Sequence, residues 1–163
     1  MQYCDNHLLA HDKPAGVPVQ ADASGDLDLQ SWAKAWLARQ FDKPGNVFCG
    51  IVHRLDRPAR GGVVLARTSK AAARLSRQFA ERTAQKTYEA VVWGRMADAA
   101  GSIDLPIGRD TRHRVKISAR TSSPREAFTE YRVKEVLAGF SWLEVRPRTG
   151  RTHQIRVHLE HLG

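Results

Sequence analysis

Asp56 is an isolated carboxylate held between two guanidinium side chains, in the run Ile51-Val52-His53-Arg54-Leu55-Asp56-Arg57-Pro58. An apolar stretch at 47–52, broken by Cys49 and Gly50, leads into it; Pro58, Gly61 and Gly62 follow and forbid a regular continuation. A strand that ends in a loop carrying one acid presents a reactive group on a rigid scaffold. Three roles are open to such an acid. It can form a surface ion pair with Arg54 or Arg57. It can bind a metal, although no second carboxylate lies nearby in sequence. It can act alone, as nucleophile or base, provided a buried arginine keeps it ionised through charge and bidentate hydrogen bonds. A later run, Arg148-Thr149-Gly150-Arg151-Thr152-His153-Gln154-Ile155-Arg156-Val157-His158, supplies the cations that the third role needs.

Other chemistries find little support. Cys4 and Cys49 form no Cys-x-x-Cys, so zinc-ribbon and thioredoxin-type sites are not expected. His7 and His11, and His158 and His161, are spaced like ligand pairs but lack further ligands, and no metal site is expected. No Gly-x-Gly-x-x-Gly or phosphate loop follows a strand, and Gly61-Gly62 lacks the downstream lysine and hydroxyl of a nucleotide site. No cofactor is therefore expected. The 163 residues carry 26 Lys+Arg against 17 Asp+Glu, a net charge of +9. That excess is either a solubilising surface or the mark of a polyanionic partner, since each cation placed on phosphate releases a counterion. No basic amphipathic helix points to a membrane surface. No signal pattern opens the chain and no apolar run approaches the ~20 residues of a membrane span. A cytoplasmic, monomeric protein is the expectation.

The elements around these residues read as a single domain. Residues 7–11 form a short strand, and Lys13-Pro14-Ala15-Gly16 a turn. A helix spans about 28–40, with Leu29, Trp32, Ala33, Trp36 and Leu37 on its inner face. Residues 47–52 and 63–66 read as strands. Thr68 or Ser69 caps a helix from 70 to about 82, with Ala72, Leu75 and Phe79 inward and Lys70, Arg74, Arg77 and Arg82 outward. Residues 86–93 form a strand with Lys86, Tyr88, Ala90 and Val92 on one side. Residues 108–125 read as an exposed basic loop or loose hairpin. Segments 127–136 and 140–146 form an antiparallel hairpin turning at Ala138-Gly139. A final helix follows with Thr152 as N-cap, Ile155, Leu159 and Leu162 as its buried line, and Gly163 as C-terminal cap. The order favours an α+β fold with a mixed, mainly antiparallel central sheet and flanking helices.

Four motifs in fixed order carry a family resemblance. They are the stretch from Asn6 to Gly16, His53-Arg54-Leu55-Asp56 with Gly61 five residues on, Lys86-Thr87-Tyr88, and Thr149 to His158. Together they resemble the RNA pseudouridine synthases of the large-ribosomal-subunit (RluA) type, and the match covers essentially the whole chain. The resemblance implies an enzyme that converts uridine in structured ribosomal or transfer RNA into its carbon-linked isomer, with neither cofactor nor metal. By the family pattern Asp56 is the catalytic aspartate, Tyr88 packs on the target base and is the candidate base, and Arg156 pairs with the aspartate. Arg54 matches the arginine that fills the space left by a flipped uridine. RNA contacts are expected from Arg54, Arg57, Lys86, Arg112, Lys116 and Arg151, and pocket walls from Leu55 and Ile155. Tyr88 also reads as a half-buried packing residue, Arg151 as a turn residue and Lys86 as an edge-strand cover. His53 and His153 are expected to orient loops through hydrogen bonds.

Two departures accompany the resemblance. The family shows a small hydroxyl residue where this chain has Ala59-Arg60 before Gly61. The extra cation adds an RNA contact, perturbs Asp56, or marks reduced activity. The family also continues past His-Leu-Gly with further strands and a helix, which implies that its last C-terminal elements are missing here. The rival reading is a non-catalytic RNA-binding module derived from the same fold.

Overall fold

The computed structural model describes residues 1–111, 117–118 and 120–162. It divides into two compact units, Met1–Thr83 and Ala84–Gly163. In the first unit β1 (Tyr3–Cys4), β2 (Leu8–Lys13), α1 (Leu29–Gln40), β3 (Gly50–Ile51), β4 (Gly61–Ala66) and α2 (Ser69–Ala80) follow in order. The strands pair antiparallel as β1-β2-β4-β3. Val63, Leu65 and Ala66 of β4 are wholly buried, which explains why this stretch is apolar without alternation. Leu9 of β2 and Leu29, Ala33 and Leu37 of α1 pack into the same core, with Trp32 and Trp36 at its margin.

Both helices of this unit start where a side chain can replace a missing turn. Asp28 is buried, and its carboxylate accepts from the Ser31 backbone N–H at 2.9 Å and from the Ser31 hydroxyl at 2.6 Å. The Thr68 hydroxyl accepts from the Ala71 N–H at 3.1 Å. The expected strand at 47–52 shortens to Gly50–Ile51. Its ladder runs Gly50 to Ala66 and Ile51 to Leu65 and then stops. The next β4 donor, the Val64 N–H, goes to the His53 ring at 2.9 Å in place of a backbone carbonyl. A side chain thus ends the strand and starts the loop that carries Asp56.

The second unit holds β5 (Tyr88–Trp93), β6 (Ala100–Asp104), β7 (Gly108–Arg109), β8 (Ile117–Ser118), β9 (Phe128–Leu137), β10 (Phe140–Pro147) and α3 (Gln154–Leu162). Its main sheet runs β5-β10-β9-β6, all antiparallel, and β7 pairs with β8 separately. The β9–β10 hairpin turns at Ala138-Gly139, where Gly139 takes φ +82°, a conformation free of strain only without a side chain. The α+β class and antiparallel pairing agree with expectation. Among the described residues the antiparallel ladders fall into sheets of four, four and two strands.

The last helix differs most from its sequence pattern. It opens at Gln154, so the residue before it is His153, with φ +54°, and not the expected Thr152. Its buried residues are Gln154, Val157 and His158. Ile155 and Leu159 are only half-buried against Tyr131, Leu143 and Val145, and Leu162 is exposed. Polar side chains take the inner line because each finds a fixed partner there, as described below. The expected cap at Gly163 lies outside the described residues.

His11, on β2, gives the first unit a pH dependence. Its ring lies 4.6 Å from that of Trp32, and its Nδ1 is buried with no hydrogen-bond partner among the described residues. Burial pushes its pKa below the ordinary imidazole value. The unfolded chain therefore takes up a proton before the folded one, and stability must fall as pH drops from about 7 through the free-imidazole range. Chemical denaturation at pH 7.5 and 5.5 should show that loss, and His11→Phe should make it smaller. An equal loss in both proteins would rule His11 out as a source.

Candidate active site

Lys13 is the anchor of the Asp56 loop. It closes β2, is fully buried, and donates through Nζ to the carbonyls of Pro14 at 3.0 Å, Val17 at 2.7 Å and Arg57 at 3.1 Å. Three acceptors need three N–H donors, which only the charged ammonium has. Burial pushes the Lys13 pKa down, and the nearby Asp56 carboxylate pulls it back up. Backbone bonds tighten the same loop. The Gly16 N–H donates to the Arg57 carbonyl at 2.8 Å, the Arg57 Nε to the Gly16 carbonyl at 2.9 Å, and the Ala59 N–H to the Asp56 carbonyl at 3.0 Å.

Around this frame the predicted residues take separate positions. Asp56 is half-buried, Leu55 packs on the first-unit core and Arg54 is exposed. Gly61 takes φ +139° where the loop rejoins β4 opposite Lys13, a turn that no larger residue makes easily. The Arg57 guanidinium pairs with Asp26 and stands 3.7 Å from Asp22, so loop 22–26 holds it. Arg60, at the departure noted above, reaches across to Asp12 at 2.8 Å. His53 stacks on Phe79 at 4.6 Å between ring centroids.

In the second unit, Tyr88 opens β5 opposite Val145 and packs with Ile155 of α3 on one core. Lys86 donates to the Thr149 carbonyl at 3.1 Å, and Arg151 Nε to the Glu126 carbonyl at 2.9 Å, so both fasten the turn that precedes α3. Within that turn the Gln154 Oε1 accepts from the Arg151 N–H at 3.0 Å and from the Thr149 hydroxyl at 2.7 Å. Gln154 Nε2 donates to the Phe128 carbonyl and the Thr129 hydroxyl, both at 3.0 Å. His158 contacts Thr129 Oγ1 at 2.8 Å through Nδ1 and the Leu105 carbonyl at 3.0 Å through Nε2. Arg156 lies between these two polar anchors in sequence and is exposed.

A family model described as RNA pseudouridylate synthase matches residues 7–161. The chain belongs to that family. The ribosomal large subunit pseudouridine synthase D of Xanthomonas campestris is 41% identical over 160 residues, covering 98% of this chain and 47% of its own. The Pseudomonas aeruginosa protein of the same name is 39% identical over 161 residues, covering 99% and 49%. The solved structure of human RNA Pseudouridylate Synthase Domain Containing 4 matches with a TM-score of 0.81 at 27% identity, covering 98% of this chain and 62% of that one. The chain spans about half the length of the curated relatives it matches.

The family's predicted site residues are divided between the units. Arg54, Leu55, Asp56 and Arg57 share one loop of the first; Lys86, Tyr88, Arg151, Ile155 and Arg156 lie in the second. Arg112 and Lys116 lie outside the described residues. Among the described residues no three His, Cys, Asp or Glu side chains gather to hold a metal, and no helix is long and apolar enough to cross a membrane. Sequence reasoning missed the supports: Lys13 passed for a turn residue, Thr129 went unremarked, Gln154 was noted only as a motif member, and His158 was weighed beyond that only as one of a ligand-spaced pair. A lysine before Pro-x-Gly at the end of an apolar strand was the one available signal.

The loop geometry yields a pair of contrasting substitutions. Lys13→Met keeps the apolar stem but strands three carbonyls, and should cost about 2–4 kcal/mol in a urea denaturation. Arg60→Ser removes only an exposed pair and should leave stability unchanged. Equal stability of Lys13→Met and wild type would show that the carbonyls find water instead.

Proposed function

We propose that this chain is a single catalytic domain that isomerises uridine to pseudouridine in RNA. In this reading the bond between C1′ and uracil N1 breaks, a bond from C1′ to C5 forms, the C5 proton leaves and N1 gains one. Asp56 is the catalytic carboxylate, as nucleophile or as base. Tyr88 stacks on the base and takes the C5 proton. Arg156 keeps Asp56 ionised and placed. Arg54 and the basic segment with Arg112 and Lys116 hold the RNA, and Leu55 and Ile155 line the pocket for the flipped base. Large-subunit ribosomal RNA is the favoured substrate, because two of the similar relatives carry that name, with transfer RNA as the alternative.

The observation that carries this reading is the construction of the Asp56 loop. A buried ammonium, a positive-φ glycine and a histidine in place of a ladder carbonyl all act on one short segment. A surface ion pair needs no such support, whereas a group that must meet a reacting atom does. The Arg60 departure does not favour the RNA-binding module, since its guanidinium is engaged by Asp12.

Tritium release from RNA labelled at uridine C5 tests the assignment. Wild type should release tritium, Asp56→Ala should release none above background, and Tyr88→Phe should be slower by about 10²-fold or more, the usual range for a lost general base. RNA binding with no release from wild type would identify the non-catalytic module instead.

A further inference from the structure

In the second unit the hydrogen bonds around α3 have only one consistent direction. The Arg151 N–H can only donate and the Phe128 carbonyl can only accept, so the Gln154 amide has its oxygen toward Arg151 and its nitrogen toward Phe128. The Leu105 carbonyl can only accept, so His158 carries its proton on Nε2 and leaves Nδ1 as an acceptor. The Thr129 hydroxyl therefore receives from Gln154 Nε2 and donates to His158 Nδ1. At the other end the Phe128 N–H donates to Thr149 Oγ1 at 3.0 Å, and Thr149 donates to Gln154 Oε1. Thr149, Gln154 and His158 are nearly inaccessible to solvent, and so is Thr129. No proton in the chain can turn without leaving a buried group unpaired.

We propose that Thr129, by gripping both Gln154 and His158, fixes the rotation of α3 and so positions Arg156 for catalysis. The inference rests on the role given to Arg156 above. Gln154 and His158 are four residues apart, one above the other on the inner face. Arg156 is two residues from each, about 200° around the helix, and so points away from both. A helix with side chains is about 6 Å in radius, so a 10° rotation carries an outer group by about 1 Å. A displacement of that size at a reacting group costs about 10²-fold in rate. Apolar packing by Val157 and Leu159 alone resists such a rotation poorly, because it is not directional. Thr129, Gln154 and His158 are positioning residues in this scheme.

The chain also requires His158 to be neutral. A proton on Nδ1 would face Thr129 with a donor, and the threonine would have to give up its own donation. Burial pushes the His158 pKa below the ordinary imidazole value. The titratable groups that act on it are His161 on its own helix, which lowers it further, and Asp104 of β6, which raises it. The hydrophobic cluster that Ile155 and Leu159 of α3 pack against also holds the phenols of Tyr88 and Tyr131. Activity should therefore hold down to a pH below the free-imidazole range and fall as His158 takes a proton.

Thr129→Val keeps the shape and removes the hydroxyl, whereas Thr129→Ser keeps the hydroxyl. In the tritium assay Thr129→Val should lower kcat about 10- to 100-fold with KM for RNA nearly unchanged, and Thr129→Ser should recover most of the loss. The acid limb of kcat should move to higher pH in Thr129→Val, because a hydrogen bond that favours neutral His158 is gone. Equal kcat and the same acid limb in an active wild type and Thr129→Val would overturn the positioning role alone. A wild type without Asp56-dependent release would instead overturn the functional reading beneath it. Nitrogen-15 shifts of the His158 ring in wild type at pH 7 test the chain without any activity and without relying on a variant that folds poorly. A neutral ring protonated on Nε2 is expected; a ring protonated on Nδ1, or charged, would overturn the inference.

Discussion

Lys13 has been removed from water with its charge intact, and the loop bearing Asp56 is built from the groups that make this tolerable. A buried ammonium is costly unless every donor is used. The carbonyls that use them come from Pro14 and Val17 on one side and from Arg57, next to Asp56, on the other. The β2–β4 ladder sets Lys13 opposite Gly61, where the loop ends, and His53 holds the loop's start against Val64. The end of β2, the turn after it and the acid-bearing loop therefore form together or not at all. Rigidity at Asp56 follows from one desolvated charge rather than from regular secondary structure.

The second unit reaches a similar end with neutral groups. An amide can be flipped and an imidazole has two tautomers, so neither is rigid by itself. Here each is tied to backbone groups whose polarity cannot change, and the ambiguity disappears. Leucines at 154 and 158 would hold α3 to the sheet at least as strongly, since packed apolar residues often equal buried polar networks in stability. What they would lose is direction. A polar inner line on a short helix is thus better explained by orientation than by stability.

Much of the fold was legible because burial and capping leave periodic traces. α1 and α2 were visible from their apolar faces, and α2 also from Thr68, whose hydroxyl bonds the N–H three residues on, as the Asp28 carboxylate does for α1. The β9–β10 hairpin was visible from alternation and from Gly139. The acid, the tyrosine and the arginine were legible as motif members. Their supports were not, because those depend on partners far away in sequence. Gln154 meets Thr129 across 25 residues and Lys13 meets Arg57 across 44. The misread α3 shows why: a search for apolar residues at helical spacing selects Ile155, Leu159 and Leu162 and passes over polar residues that are buried because they are satisfied. The shortened β3 has a similar cause, a side-chain acceptor that periodicity does not reveal.

The net charge of +9 gives little indication of where an anion would bind, since several cations among the described residues are paired with carboxylates. Arg57 is held by Asp22 and Asp26, Arg60 by Asp12, Lys134 by Glu89, Arg146 by Glu144 and Arg148 by Glu130. Such exposed pairs add little stability, but each cancels most of its own field within a few ångströms. Arg60 is the telling case. An unpaired guanidinium four residues after Asp56 would change the local potential, yet this one meets a carboxylate on the neighbouring strand. Asp12 also precedes Lys13, so the extra charge is absorbed at the same strand end that anchors the loop. The departure from the family pattern is therefore nearly neutral electrically, and the Asp56 carboxylate acts on the ammonium of Lys13 buried beneath its loop.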